Sequence, residues 1–290
     1  MASSRSASGV LLVAKPAGVT SHDVVDHVRR LPLARGAKVG HAGTLDPFAT
    51  GLLLVLVGQA TRFQRFFMSL PKAYRATAQL GATSDTGDPT GRIEETGGRA
   101  GEDAVRSAAA TLVGEIDQRV PLTSAVKVGG ERLYMKARRG EDFETPVRRV
   151  AVRRLDIESF DEQAQRLDLA VECSSGTYVR QLVADLGEAT GAGAYCEALE
   201  RTAIGAFRLS AADEGNLVPL VEALSFLPER ALDPDEERLA RTGRALENGV
   251  ENGQEAGAPN VRLTAGGELV AVAERRDGKL KPVTVMSGDP

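Results

Sequence analysis

The chain has 290 residues, of which 42% are hydrophobic and 26% charged, a composition typical of globular proteins and not of fibrous or disordered chains. Its longest apolar run, Leu52 to Val57, is too short to cross a bilayer, and the N-terminal segment has too short an apolar core for a secretory signal. We therefore expect a cytoplasmic protein without a membrane partner. Two cysteines and three histidines exclude a disulfide scaffold and disfavour a dedicated metal cage.

The charge is unevenly distributed along the chain. With 36 basic and 40 acidic residues the net charge is −4, which at first argues against a nucleic-acid partner. Residues 211–290 hold nine basic and 15 acidic side chains, however, whereas Lys127 to Arg154 holds nine basic and four acidic ones. The basic stretch is either a phosphate-binding surface or an ordinary solvated face, and charge alone leaves both interpretations open.

The first predicted elements are a strand and a helix. Gly9 to Lys15 is an apolar run that predicts a buried strand. Thr20 offers an N-cap, with Asp23 in the first turn, for a helix that extends to about Arg30. Residues 35–51 are rich in glycine, threonine and polar residues and are predicted to form a loop.

Strand and helix patterns alternate irregularly through the rest of the chain. The patterns predict a strand or core segment at 52–57, an amphipathic helix at 60–68, strands at 74–80, 147–160 and 167–173, helices at 102–113, 178–190 and 233–241, and a hairpin formed by 268–274 and 280–286. Without a regular βαβ rhythm, the pattern favours an α+β fold over a doubly wound parallel sheet. We predict a boundary between residues 1–230 and a small β-rich unit at 231–290.

The most informative segment is Gly40 to Pro47, GHAGTLDP, in which a histidine between glycines and small residues precedes an aspartate held before a proline. Pro47 biases Asp46 towards an extended backbone, and the glycines allow a ligand to approach closely. A carboxylate in such a loop can act as a nucleophile or a base. An Asp-Pro pair that merely forms a turn is the alternative.

Two further clusters carry residues suited to a site. Arg180 is predicted in the first turn of a helix, where a cation is unfavourable unless an anion such as Asp46 pairs with it. Routine pairing of Arg180 with an acid on its own helix is the alternative. Tyr74 lies between Lys72 and Arg75, an arrangement suited to a nucleotide, although a tyrosine at the edge of the core explains it as well. The sequence contains no P-loop, no nucleophile elbow and no HExxH motif, so we expect no cofactor and no metal.

Together these segments resemble the bacterial tRNA pseudouridine synthase B (TruB) family. The matching segments are LLVAKPAGVTSHDVV, KVGHAGTLDPFATGLLLVLVGQATRF, KAYRATAQLGATSDTGDPTG, SAVKVGGERLYMKARRGE and SSGTYVRQLVADLG, in the family's order and covering most of residues 9–209. The resemblance implies a mixed, mostly antiparallel central sheet flanked by helices, followed by a small PUA-like RNA-binding domain. It also implies the isomerisation of uridine 55 in the T arm of tRNA to pseudouridine, on a uridine flipped out of its loop.

The resemblance also implies roles for individual residues. Asp46 would be the catalytic carboxylate, acting either as a nucleophile or by deprotonating the sugar to give a glycal. Tyr74 would stack on the uracil ring and help to remove the C5 proton. Arg180 would pair with Asp46. The remaining expected contacts are His41 beside the flipped base, Tyr178 ordering the ion pair, Leu199 lining the pocket, and, on the RNA backbone, Lys127, Arg148, Arg149, Arg153 and Arg154.

The chain departs from the family pattern at two positions. Ala14 stands where an acidic residue usually precedes the Lys-Pro pair, which deprives Lys15 of a local partner. Glu200 stands where a second basic residue is common, whereas Leu199 and Arg201 fit the pattern. We expect an enzyme that needs no obligatory protein partner. The alternatives are a non-catalytic tRNA-binding or folding module of the same fold and a guide-RNA-dependent synthase in a ribonucleoprotein.

Overall fold

A computed structural model describes residues 8–121, 145–248 and 258–287, together with Ser124, Lys127–Val128, Glu131–Arg132 and Arg139. The strands are β1 (Gly9–Lys15), β2 (Val39–His41), β3 (Thr50–Val57), β4 (Lys72–Leu80), β5 (Ala82–Ser84), β6 (Ile93–Glu95), β7 (Gly114–Arg119), β8 (Lys127–Val128), β9 (Glu131–Arg132), β10 (Val147–Asp161), β11 (Arg166–Cys173), β12 (Ala194–Ile204), β13 (Phe207–Arg208), β14 (Asp213–Pro219), β15 (Glu229–Ala231), β16 (Leu246–Glu247), β17 (Asn260–Ala265), β18 (Glu268–Arg276) and β19 (Lys279–Val285).

Helices cover parts of both faces of the larger sheet. The α-helices are α1 (Ser21–Arg30), α2 (Gln64–Met68), α3 (Glu102–Thr111), α4 (Val179–Thr190), α5 (Leu220–Ala223) and α6 (Pro234–Arg241). Short 3-10 helices occupy Pro32–Ala34, Gly58–Phe63 and Leu209–Ala211. Among the described residues, no helix is both long and apolar enough to span a membrane.

The larger sheet is mixed and mostly antiparallel, as predicted. Its central path runs β14-β1-β3-β12-β4-β11-β10-β7, with β2 beside β3 and β13 beside β12. Within this sheet, as far as the chain is described, only β3 and β12 pair in parallel, through Thr50 with Glu200 and Gly51 with Arg201. The α+β class expected from the sequence is confirmed.

Apolar runs explain why β1 and β3 lie at the centre of the core. Both strands are hydrophobic on both faces, the pattern of strands that are covered on each side. One face packs against α1 through Val24, Val25 and Val28. The other packs against Phe63, Phe66 and Phe67 and against the C-terminal sheet. On the other half of the larger sheet, α3 and α4 cover one face.

The capping signals in the sequence are confirmed at α1. Thr20 is the N-cap, its hydroxyl accepts a hydrogen bond from the Asp23 amide, and the Asp23 side chain accepts one from the Thr20 amide. This capping box fixes where the helix starts. The start matters for the site because Ser21, the first helical residue, contacts the loop that carries Asp46.

Two sequence-based assignments need correction. The segment 35–51 is not wholly a loop, because Val39–His41 forms β2 and Thr50 begins β3. A strand of three residues paired with β3 is too short to leave a period-two pattern. The segment predicted as one helix at 60–68 starts as a 3-10 helix and becomes α-helical at Gln64.

The C-terminal strands form a second sheet in the order β15-β17-β18-β19-β16. The predicted hairpin is confirmed in β18 and β19, where Asp277 and Gly278 both have positive φ angles of 52° and 73°. Two such residues suit the tight turn of a two-residue hairpin. Leu269 and Val272 of this sheet pack into the core shared with the larger sheet. The strand Glu229–Ala231 spans the predicted domain boundary, and the division at 230/231 itself stays a prediction.

We predict that Gly51→Ala destabilises the fold at the parallel junction. Gly51 has a φ of +113°, and an added Cβ would lie 2.4 Å from the backbone oxygen and 2.5 Å from the backbone nitrogen of Arg201. Strain and overlap together are expected to lower the free energy of unfolding by about 2–4 kcal/mol, measured by urea denaturation. The control, Gly97→Ala, has a φ of +69° but no neighbour within 4 Å, and should lose only about 1 kcal/mol. Equal losses would contradict the steric argument.

Candidate active site

The loop between β2 and β3 carries Asp46, and Lys15, Gly18 and Ser21 hold its backbone. At the start of α1, the Ser21 hydroxyl accepts a hydrogen bond from the Leu45 amide at 2.9 Å and lies 3.1 Å from the Leu45 carbonyl. The Pro47 carbonyl accepts hydrogen bonds from the Gly18 amide at 2.8 Å and from the Lys15 ammonium at 3.3 Å. Both neighbours of Asp46 in the chain are therefore fixed, which limits the positions that the carboxylate can take.

Lys15 is a buried lysine at the end of β1. Its ammonium donates to the carbonyls of Pro16 and Val19 at 2.8 Å, in addition to that of Pro47. Three carbonyls thus replace the acidic neighbour that Ala14 does not supply. Burial lowers the pKa of Lys15, and the negative charge of Asp46 acts in the opposite direction.

Asp46 forms an ion pair with Arg180, the second residue of α4. The Oδ2 atom of Asp46 lies 2.8 Å from the Nε atom of Arg180. The arginine side chain is enclosed, with 3% of its surface exposed, whereas the aspartate side chain is 32% exposed. The cation is therefore enclosed, whereas the carboxylate keeps an exposed side.

A second carboxylate, Asp88, shares the same guanidinium. Its Oδ2 atom lies 3.2 Å from the NH1 atom of Arg180, which also donates to the Thr86 carbonyl at 2.7 Å. The Oδ1 atom of Asp88 accepts hydrogen bonds from the Thr86 hydroxyl and the Thr90 amide, both at 2.9 Å. The sequence had predicted only a turn around Asp88, because an aspartate in a segment rich in glycine and threonine is ordinary turn composition.

Burial and charge act on Asp46 in opposite directions. Desolvation raises the pKa of its carboxyl, the Arg180 cation lowers it, and the nearby Asp88 carboxylate raises it again. The net direction is upward. The ionised form of Asp46 therefore depends on Arg180, since burial and Asp88 both disfavour it.

Tyr74 and His41 line the same region as neutral groups. Tyr74 on β4 lies opposite Arg201 on β12 and packs against the core together with Phe48. Burial raises the pKa of the Tyr74 phenol. Burial lowers the pKa of His41, and the positive charge of Arg201 lowers it further. Both side chains are consequently uncharged at neutral pH.

Tyr178 precedes α4 and is held by its backbone. The buried side chain of Gln118 on β7 accepts from the Tyr178 amide at 2.8 Å and donates to its carbonyl at 3.1 Å. This contact fixes the start of the helix that carries Arg180. The sequence did not reveal Gln118, because nothing distinguishes a buried glutamine from an exposed one in a short polar strand.

A cleft of about 690 Å³ adjoins the Asp46 loop. Its apolar wall includes Phe48, Pro89 and the buried Leu199, which lies opposite Ala76 in the sheet. The other lining residues are mainly polar or acidic and include Glu158, Asp168, Glu197 and Glu200. Its volume is in the range of small-molecule sites. Asp46, Tyr74 and His41 are not among the residues that line this cleft, and they do not line a larger space of about 900 Å³ between the two sheets either.

The basic residues that are expected to contact the RNA backbone differ in whether a carboxylate already pairs with them. Arg149 pairs with Glu115, with its Nε and NH2 atoms 2.9 and 2.8 Å from one carboxylate oxygen, and Arg154 pairs with Asp156. Arg148 and Arg153 are exposed on β10. The side chain of Lys127 lies outside the described residues. Within the described ranges, no three His, Cys, Asp or Glu side chains come together as a metal site would require.

Comparisons with known proteins cover the part of the chain that forms this site. The family model described as "TruB family pseudouridylate synthase (N terminal domain)" matches residues 29–179, which include Asp46, Tyr74 and Asp88. Relatives named "tRNA pseudouridine synthase B" from Arthrobacter sp. (strain FB24) and Thermobifida fusca (strain YX) are each 40% identical over 298 residues. The alignments cover 97% of this chain in both cases and 97% and 99% of the relatives.

Solved structures share the fold. The chain matches one in the "Crystal Structure of a Cbf5-Nop10-Gar1 Complex" with a TM-score of 0.71 and 24% identity, over 96% of this chain and 84% of that chain. It matches one in the "Crystal structure of the archaeal box H/ACA sRNP Nop10-Cbf5 complex" with a TM-score of 0.69 and 23% identity, over 96% and 85%. By the family model and by near full-length identity, this chain belongs to the TruB family of pseudouridylate synthases.

Proposed function

We propose that the chain converts uridine 55 in the T arm of tRNA to pseudouridine, with Asp46 as the catalytic carboxylate. The observation that carries the proposal is the ion pair of a partly open Asp46 with an enclosed Arg180, next to a cleft with an apolar wall. The names of the full-length relatives support tRNA as the substrate. The proposed reaction breaks the N1–C1′ bond, turns the base, forms the C5–C1′ bond and moves the C5 proton to N1, so it needs no oxidant or group donor.

Asp46 has two possible roles in this reaction. As a nucleophile it would attack the sugar, and as a base it would remove a sugar proton to give a glycal. Both roles need an ionised and correctly directed carboxylate. Arg180 favours the ionised form, and the fixed backbone on both sides of Asp46 keeps its direction, so little reorganisation is needed when the substrate arrives.

Two neutral side chains near Arg201, Tyr74 and His41, suit an uncharged base. A Tyr74 phenol with a raised pKa stays protonated at neutral pH, which favours stacking on the uracil ring over removal of the C5 proton. A neutral His41 can fill space beside the flipped uridine without adding charge. Leu199 supplies apolar contact from the wall of the cleft, and we assign Tyr178 to ordering the Asp46–Arg180 pair.

The target uridine must be flipped out of its loop, so the protein has to hold the RNA around it. Arg148 and Arg153 are exposed, and no described carboxylate forms a salt bridge with either, which makes them better phosphate ligands than the paired Arg149 and Arg154. We further propose that the chain acts in the cytoplasm without an obligatory protein partner and that residues 231–290 form a separate RNA-binding domain. Activity of the purified chain on unmodified tRNA would test its independence from a guide RNA or partner.

We predict that Asp46→Asn abolishes catalysis but not binding. The amide keeps the shape of the side chain but can neither attack nor accept a proton, so tritium release from tRNA labelled at uridine C5 should fall by at least about 10⁴-fold. Affinity for tRNA should stay within about three-fold, since one side chain adds little to a large phosphate-dominated interface. Asp103→Asn, on the exposed side of α3, is the matched control and should retain full activity.

Folding of the Asp46→Asn variant can be checked by thermal unfolding. The carboxyl has a higher pKa in the folded than in the unfolded chain, so its ionisation reduces stability as the pH rises between those two values. The uncharged amide should therefore leave the stability at neutral pH unchanged or higher. Pseudouridine formation at the wild-type rate would remove Asp46 from the mechanism. Tight tRNA binding by a wild-type chain that releases no tritium would favour the non-catalytic module.

We predict that the rate falls at acid pH and that Asp88 sets where it falls. Because the pKa of Asp46 is raised, the single-turnover rate should decline with an apparent pKa above that of an ordinary aspartate, about 4. Asp88→Asn removes a like charge and should move this decline to lower pH. Loss of one anchor of Arg180 should also lower the rate at neutral pH by about 10- to 100-fold.

Asp185→Asn is the control for the pH experiment. Burial raises the pKa of this carboxyl too, but it hydrogen-bonds Gln181 and not Arg180. The acid decline of this variant should match that of the wild type. A decline that stays in place in Asp88→Asn would show that Asp88 does not act on the charge of Asp46.

We predict that Arg153 contributes one phosphate contact. Arg153→Gln should weaken tRNA binding and flatten the slope of log Kd against log salt concentration by about one unit. Arg166→Gln is the control, because this exposed arginine is already paired with Glu197 at 3.0 Å. An unchanged slope in the Arg153 variant would assign that arginine to a solvated face.

A further inference from the structure

Arg201 is a buried arginine at the parallel junction of the larger sheet. Its position on β12 places it beside Gly51 of β3 on one side and opposite Tyr74 of β4 on the other. Only 1% of its surface is exposed. In the sequence, Arg201 fits a family pattern in which a second basic residue is common at the position of Glu200, and basic residues are ordinarily expected at the surface.

The guanidinium of Arg201 spans the two ends of the Asp46 loop. It donates to the carbonyls of Gly43 at 3.1 Å and Thr44 at 3.2 Å, which precede Asp46, and to the carbonyl of Leu52 at 2.8 Å, which follows it. Each of the three guanidinium nitrogen atoms donates a hydrogen bond to one of these carbonyls. A lysine ammonium is a point donor and cannot reproduce this planar arrangement.

The same cation acts on Tyr74. Tyr74 lies opposite Arg201 in the strand register, and burial raises the pKa of the Tyr74 phenol, while the positive charge of Arg201 lowers it. Arg201 also lowers the pKa values of His41 and Lys15, whose own burial has the larger effect. One side chain thus bonds the backbone of the Asp46 loop from the strand position opposite Tyr74, the residue proposed to hold the base.

Arg201 forms no salt bridge with a described carboxylate and is satisfied by carbonyl groups. A buried cation of this kind is expensive to desolvate, and an apolar residue of similar volume is often neutral or stabilising in its place. Its contacts instead join two parts of the site that are far apart in sequence. These contacts indicate that Arg201 fixes the position of the Asp46 loop relative to β4, in addition to any effect on the stability of the fold.

We propose that Arg201 is a positioning residue that couples the Asp46 loop to Tyr74, so that the carboxylate and the ring keep one fixed spacing across the uridine. The inference rests on the proposed function for the chemistry of Asp46 and Tyr74. The structural link from the Asp46 loop through Arg201 to Tyr74 does not depend on the proposed function. Experiments on the loop and on the reaction can therefore be separated.

Arg201→Lys and Arg201→Gln test the proposal, with Arg208→Lys as the control. Arg208 also donates to backbone carbonyls, but it is exposed, and those carbonyls, of Gly205 and Phe207, lie within three residues of it and not in the Asp46 loop. Hydrogen exchange of the amides in residues 42–49 reports the loop without any substrate. Single-turnover tritium release and tRNA affinity report the reaction. A double-mutant cycle with Tyr74→Phe reports the coupling.

We expect Arg201→Lys to speed loop exchange by at least about ten-fold and to lower the single-turnover rate by about 100-fold, the scale of a misplacement near 1 Å. Affinity for tRNA should stay within about three-fold, and the Arg208 control should match the wild type. The combined loss in the double variant should be smaller than the product of the two single losses, since both substitutions break the same unit.

Three results would overturn the proposal. The first is wild-type exchange and rate in a folded Arg201→Lys variant. The second is a double variant whose loss equals the product of the single losses, which would remove the link to Tyr74. The third is failure of both Arg201 variants to keep the wild-type circular dichroism spectrum, which would make Arg201 a residue of the fold as a whole. A wild-type chain without activity on tRNA would remove the proposed function, and loop exchange would still decide whether Arg201 holds the Asp46 loop.

Discussion

The site depends on one enclosed guanidinium that serves two carboxylates. Arg180 is almost fully buried between Asp46 and Asp88, and Asp46 alone keeps substantial exposure. A single cation cannot fully compensate two negative charges in this partly desolvated site, so the more exposed carboxylate, Asp46, is held ionised only while the pair is intact. The ion pair therefore determines both the ionisation state of Asp46 and the orientation of its carboxylate. A change that turns the side chain away from Arg180 also favours its protonation.

The loop that presents this carboxylate is held by contacts from three distant parts of the chain. Lys15 ends β1, Ser21 begins α1 and Arg201 lies on β12, and each bonds to a carbonyl or amide within or beside the loop. Arg201 reaches the loop because β12 inserts between β3 and β4, where it forms the parallel pairing. The glycine at the junction follows from this insertion, because the backbone of Arg201 occupies the space of a Cβ at Gly51. The fold therefore fixes the site through backbone contacts as much as through side-chain pairs.

The parts predicted from the sequence are those that local chemistry determines. The cap at Thr20, the apolar runs of β1 and β3 and the turn at Asp277 and Gly278 all depend on neighbouring residues, and the structure contains each of them. The strand Ala194–Ile204 was missed because a mixture of small, acidic and apolar residues gives no clear period-two pattern. Asp88, Gln118 and Arg201 were missed as site residues for a related reason. Their partners are backbone atoms or a shared cation on other elements, and no spacing in the sequence encodes such contacts.

The buried charges of the site also match the charge that the proposed reaction generates. Heterolysis of the N1–C1′ bond leaves electron density on the uracil, so a site that stabilises this step should offer positive charge that is already in place. Arg180 pairs with Asp46 and Asp88, Lys15 acts on Asp46 through its charge, and the Arg201 cation, on the strand position opposite Tyr74, forms no salt bridge with a described carboxylate. Because Arg201 is bonded to carbonyls and not to a carboxylate, its charge is not cancelled locally. An aromatic ring stacked on the uracil with a fixed cation beside it would lower the energy of the developing anion without transferring a proton, which fits a Tyr74 phenol that burial keeps protonated.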